Sequence, residues 1–140
     1  MKFYLVDDDT DMVDVMTVLL EAAGHTVFAD IAALPAISRI VAKRPDCILT
    51  DMMMSEMNGL ELCTELRTRD ELKRSAIIMV SAKTDEHWHN RATQAGADGF
   101  IEKPLNPETF VGEVEKIIAD AEAMDGDAAP ASEQPLPGRR

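Results

Sequence analysis

Asp7-Asp8-Asp9 follows directly on the apolar run Lys2–Val6, and Asp51 follows Cys47–Thr50. Ser81 closes Ala76–Val80, and Lys103-Pro104 comes just after Gly99–Ile101. If these run ends meet, carboxylates, a hydroxyl and an ammonium share one site. Carboxylates that close repel, and each raises its neighbours' pKa. A hard divalent cation relieves that repulsion, and clustered Asp oxygens suit Mg²⁺.

The elements that would position them are legible. Lys2–Val6, Thr26–Ala29, Cys47–Thr50, Ala76–Val80 and Gly99–Ile101 read as strands, by length and by their flanking turn residues or acids. The third and fourth are apolar on both faces, as parallel strands covered by helices on two sides should be.

Helical spacing fills the intervals. Met12, Val15, Met16, Leu19 and Leu20 form one apolar stripe, with Gly24 as the stop. Ala36, Ile37, Ile40 and Val41 mark a second helix, with Pro35 in its first turn. Leu62, Cys63 and Leu66 mark a third after Asn58-Gly59, and Asp85–Ala95 a polar fourth. Phe110, Val114, Ile117, Ile118 and Ala121 mark the fifth. Asn106 is expected as its N-cap and Pro107 as its first residue, with Leu105 and Phe110 as a hydrophobic staple.

Strands alternating with helices imply an α/β fold, a doubly wound parallel sheet with right-handed crossovers. Ligands of such sheets bind at the carboxyl ends of the strands, where the acids stand.

The 140 residues suit one domain. Aromatics are only 4% of the chain, so an aliphatic core is expected, supplemented by nine Met. The net charge of −12 argues against a nucleic-acid surface and against docking to anionic lipid. No apolar run approaches a membrane span, and Asp7 interrupts the N-terminus too early for a signal peptide. Cys47 and Cys63 read as buried thiols of a reducing cytoplasm. Residues 123–140, rich in Pro, Gly and acids, read as a disordered tail after a domain spanning 1–122.

Taken together, Val6-Asp7-Asp8-Asp9, Asp51-Met52-Met53-Met54 with Asn58-Gly59, Val80-Ser81-Ala82 and Lys103-Pro104 resemble the receiver domain of two-component response regulators. The resemblance implies a flavodoxin-like (βα)5 fold with strand order 2-1-3-4-5. It implies that Asp51 is the phosphoacceptor. It also implies a Mg²⁺ cofactor held by Asp8, Asp7, Asp51 and the Met53 carbonyl. Ser81 matches the switch hydroxyl, with the Ala82 region supplying backbone amides. Lys103 matches the lysine that pairs with the acceptor and then with the phosphoryl oxygens, and its bond to Pro104 would be cis. Phe100 stands at the switch aromatic. Met53 and Lys83 occupy positions that tune hydrolysis. Ser55 replaces a usual Pro, and Asn90 a usual aliphatic residue.

The same residues bear on other chemistries. In Asp7-x-Asp9-x-Asp11, Met12 and Val18 stand where a calcium loop needs Gly and Glu. A haloacid-dehalogenase-like phosphatase would need a late acidic pair on a strand end, and nothing after Lys103 supplies it. His87 and His89 diverge on a helix, so a shared metal is disfavoured. Trp88 and His89 mark either packing at the core's edge or a partner surface.

The expected protein is a cytoplasmic single-domain response regulator, phosphorylated by a sensor histidine kinase or histidine phosphotransfer protein. It would signal to a downstream protein through its fourth helix, fifth strand and fifth helix. Alternatives are a phosphorelay intermediate and the receiver fragment of a transcription factor. Pairing with a second copy is left open.

Overall fold

The computed structural model describes residues 1–54, 57–82 and 85–128. Strands β1 (Lys2–Val6), β2 (Thr26–Asp30), β3 (Cys47–Asp51), β4 (Ala76–Ser81) and β5 (Gly99–Glu102) form one parallel sheet in the order β2-β1-β3-β4-β5. Each strand from β2 to β5 ends one residue later than the apolar pattern suggests, because the polar Asp30, Asp51, Ser81 and Glu102 complete the ladders.

Helices α1 (Thr10–Ala22), α2 (Ala33–Lys43), α3 (Gly59–Arg67), α4 (Glu86–Ala95) and α5 (Phe110–Ala128) cover both faces. Alternation along the strands sends Phe3, Leu5, Leu49, Ile78 and Val80 to one face, where α1 and α5 add Met16, Leu20, Phe110, Val114 and Ile118. Tyr4, Val6, Ile48, Ile77 and Met79 face α2, α3 and α4. Every residue of β3 and β4 is buried, as their two-sided apolarity requires. The core is mostly aliphatic, with Phe3 and Phe110 its largest fully buried side chains.

Local sequence sets the helix ends. Asp9 caps α1, accepting from the N–H groups of Asp11 and Met12 at 3.0 and 3.2 Å. After α1, Gly24 takes φ +94° and the His25 N–H returns to the Leu20 carbonyl at 3.1 Å, a Schellman ending. Asn58 and Glu61 form a reciprocal capping box on α3.

One helix start differs from expectation. Asn106 does accept from the Glu108 N–H at 2.9 Å, as a cap would, but regular helix begins only at Phe110. Residues 107–109 form a turn whose Thr109 and Phe110 N–H groups both return to the Asn106 carbonyl, at 3.1 and 2.9 Å. Leu105 is partly buried on the cluster that holds Phe110. At its other end α5 runs on to Ala128, past residue 122. The exposed Asn90 leaves the packing of α4 to buried Ala92 and half-buried Trp88 and Ala95. Among the described residues, no helix is long and apolar enough to cross a membrane.

Candidate phosphoryl and metal site

Parallel strands deliver their carboxyl ends to one edge of the sheet. Asp7 lies just past β1, Asp51 ends β3, Ser81 ends β4 and Lys103 lies just past β5. Lys103 Nζ sits 3.2 Å from Asp7 Oδ2 and 3.3 Å from Asp51 Oδ1, bridging the two. Asp7, Asp8 and Asp51 can each turn one oxygen to a common point, those atoms lying within 4.8 Å of one another. Asp7 and Asp51 are buried, whereas Asp8 is exposed.

The backbone holds these groups in place. The Asp7 N–H donates to the Asp30 carbonyl at 3.2 Å, and Asp7 Oδ1 accepts from the Asp9 N–H at 2.9 Å. Gly59, which opens α3, donates its N–H to the Met52 carbonyl at 2.8 Å. A Cβ there would lie 2.3 Å from the Asp51 carbonyl oxygen, so only glycine lets α3 start this close to β3.

Charge at the site is poorly compensated. Burial pushes the Asp51 carboxyl above its ordinary pKa, and the neighbouring Asp7 adds to the rise against the opposing pull of Lys103. Burial raises Asp7 too, opposed by the Asp9 N–H and Lys103. Burial alone would lower Lys103, but the charges of Asp7 and Asp51 reverse the sign and hold its ammonium above the ordinary lysine value. One ammonium thus faces a cluster of three carboxylates. That donor set is hard, oxygen-only and short of positive charge, which fits Mg²⁺.

The remaining residues singled out in the sequence fall on or near this edge. Ser81 is buried opposite Glu102 of β5, its carbonyl accepting from the Lys103 N–H at 2.9 Å, and Ala82 follows it, exposed. Met53 is 48% exposed on the loop after Asp51. The Lys103–Pro104 peptide is cis. Phe100, on β5, is half-buried and stacks on His89 of α4, ring centroids 3.9 Å apart. Trp88 packs on the core, edge-on to His87, with the Arg91 guanidinium 5.4 Å from its ring centre. Ser55 and Lys83 lie outside the described residues.

A family model described as the response regulator receiver domain matches residues 3–115. The chain belongs to that family. The receiver domain is 31% identical over 113 residues to the DNA-binding response regulator MtrA of Mycobacterium leprae (strain TN), covering 81% of this chain and 49% of that protein. It is 33% identical over 125 residues to the phosphate regulon transcriptional regulatory protein PhoB of Pseudomonas aeruginosa, covering 89% and 54%. The chain therefore spans about half the length of the curated relatives it matches. Among solved structures, the chemotaxis protein CheY4 of Vibrio cholerae aligns with a TM-score of 0.80 at 27% identity, covering 83% of this chain and 97% of that one. A CheY-like receiver domain protein from Methanospirillum hungatei JF-1 aligns at 0.78 and 25%, covering 88% and 97%.

Receiver domains are in general signalling folds rather than enzymes, and they generally bind Mg²⁺ at an acidic cluster of this kind. The receiver architecture also explains what the sequence reading passed over. The Asp30 carbonyl behind Asp7 is a backbone contact and leaves no mark in side-chain pattern. The Asn58-x-x-Glu61 capping box, by contrast, was available as a helix-start signal.

Proposed function

We propose that this receiver domain is a phosphorylation-dependent switch with Asp51 as acceptor. The observation that carries the reading is the Lys103 ammonium bridging Asp7 and Asp51 beside Asp8. In the proposed step an Asp51 carboxylate oxygen forms a bond to phosphorus. The bond from phosphorus to a histidine nitrogen of the donor breaks, and the imidazole leaves. Lys103 and the Ser81 hydroxyl receive the phosphoryl oxygens, with the backbone at Ala82 donating alongside. Asp7, Asp8, Asp51 and the Met53 carbonyl would hold Mg²⁺, which supplies charge neutralisation on the transferring group. Phosphorylation then biases a pre-existing equilibrium between surfaces, read out through α4, β5 and α5.

The donor is a sensor histidine kinase or histidine phosphotransfer protein, and the setting is the cytoplasm. The receiver takes in the expected residues 1–122 and continues to Ala128, where α5 ends. A protein rather than DNA is the proposed downstream partner, on the strength of the −12 charge. The DNA-binding role in MtrA's name and the transcriptional regulatory role in PhoB's belong to proteins about twice the matched length.

Acetyl phosphate with Mg²⁺ should add one base-labile phosphoryl group, measured by intact-mass spectrometry. Asp51→Asn should abolish the uptake; equal uptake at another aspartate would overturn the assignment. Met53 places an exposed thioether where an amide could orient the attacking water, so the phosphorylated form should be long-lived. Met53→Asn should speed its decay, followed by the loss of the added mass over time.

A further inference from the structure

Between α4, β5 and α5 lies a pocket of about 400 Å³. Its apolar wall comprises Phe100, Leu105 and Phe110, and its charged groups are Glu102 and Glu113. None of its lining residues is a lysine or arginine. His89 forms a further side, its ring stacked on Phe100 and its Nε2 3.8 Å from Glu102 Oε2. That nitrogen is buried and makes no hydrogen bond, although a buried polar atom without a partner costs free energy. Glu113 accepts from the Thr109 hydroxyl at 2.9 Å, and Glu102 has 58% of its side chain exposed. Acidic groups therefore rim an open pocket that has one apolar wall and no lysine or arginine in its lining.

We infer that this pocket takes a basic side chain of the partner protein, its aliphatic stem against Phe100, Leu105 and Phe110 and its charged head between Glu102 and Glu113. The inference deepens the reading of α4–β5–α5 as the signalling surface by assigning the partner's chemistry. Complementary charge at such a rim serves selection and rate of encounter more than raw affinity. A guanidinium suits the site better than a compact ammonium, because its flat face can also lie on the Phe100–His89 stack.

The test uses benzylguanidinium as the probe and the uncharged benzylurea as its match, titrated into the ¹⁵N-labelled unphosphorylated full chain. Amide shifts should move in saturable fashion at Glu102, Leu105, Phe110 and Glu113 with the cation, and not with the urea. The double variant Glu102→Gln, Glu113→Gln should weaken the probe by about threefold or more, the scale of exposed charge pairs. Equal binding of both probes, shifts elsewhere only, or unchanged affinity in the double variant would each overturn the proposal. So would a second copy of the chain covering the same amides as protein concentration rises, seen by light scattering. No arm uses phosphorylation, so failure here is distinguishable from failure of Asp51 as acceptor.

Discussion

At the amino ends of β4 and β5, Arg67 donates to the carbonyls of Gly96, Leu72 and Ser75 at 2.9, 3.2 and 2.9 Å and to Asp98 Oδ2 at 2.7 Å. The same Asp98 oxygen accepts the Ile77 N–H at 3.0 Å. At the carboxyl ends, Lys103 reaches two of three clustered carboxylates, and at longer distances of 3.2 and 3.3 Å. Both clusters are largely buried. The first matches one cation to one carboxylate and then to backbone acceptors, so it joins α3 to the starts of two strands and asks for nothing more. The second leaves negative charge in excess, and its energy falls when a cation enters to balance it. Buried ionic groups thus serve as a fastener at one end of the sheet and as a responsive site at the other.

Breaking the fastener should have the largest effect. Arg67→Met leaves Asp98 buried without its cation, and losing one partner of a buried pair costs about 3–5 kcal/mol. Chemical denaturation should show that loss, and the variant should still bind Mg²⁺ wherever it remains folded.

Filling the responsive site comes next. Mg²⁺ binding only the native state should stabilise it by about 2.7 kcal/mol at 100 times Kd. Melting temperature should rise with Mg²⁺, and the rise should shrink in Asp8→Ala. An equal rise in that variant would remove Asp8 from the metal site.

The smallest expected effect sharpens the contrast. The carboxyls of Asp7 and Asp51 sit above their usual values, so the native state keeps protons that the unfolded chain has released. Their contribution to metal-free stability therefore falls as pH rises from the ordinary carboxylate value of 3.8 through the raised ones. Lys103 contributes in the opposite region, its pairing present below the ordinary lysine value of 10.5 and lost as pH climbs through the raised one. Asp51→Asn removes one frustrated charge and should stabilise the metal-free protein at neutral pH by on the order of 1 kcal/mol. Its stability should also fall less between acid and neutral pH, measured by thermal melts in a chelator. A destabilised Asp51→Asn would mean that the Lys103 bridge outweighs the repulsion.

Strand runs, helical stripes and the acids at strand ends were all legible in the sequence, because burial imposes period and polarity on local residues. Parallel pairing followed from alternation of strands and helices, and with it the edge where Asp7, Asp51, Ser81 and Lys103 had to meet. The resemblance to receiver domains named the strand order and the roles. The late start of α5 was not legible, since Asn106 and Pro107 carry ordinary start signals, whereas the Thr109 and Phe110 N–H groups both turn back to the Asn106 carbonyl before regular helix begins. Nor was the necessity of Gly59, which arises from the closeness of the Asp51 carbonyl across the chain. The Arg67–Asp98 fastener joins residues far apart in sequence, and the pocket beside His89 forms only where α4, β5 and α5 pack together, so no local pattern marks either. The sequence by itself determined which groups carry charge and which elements present them. Tertiary structure decided how many counter-charges each receives, because that number depends on distances set by the packing of whole elements.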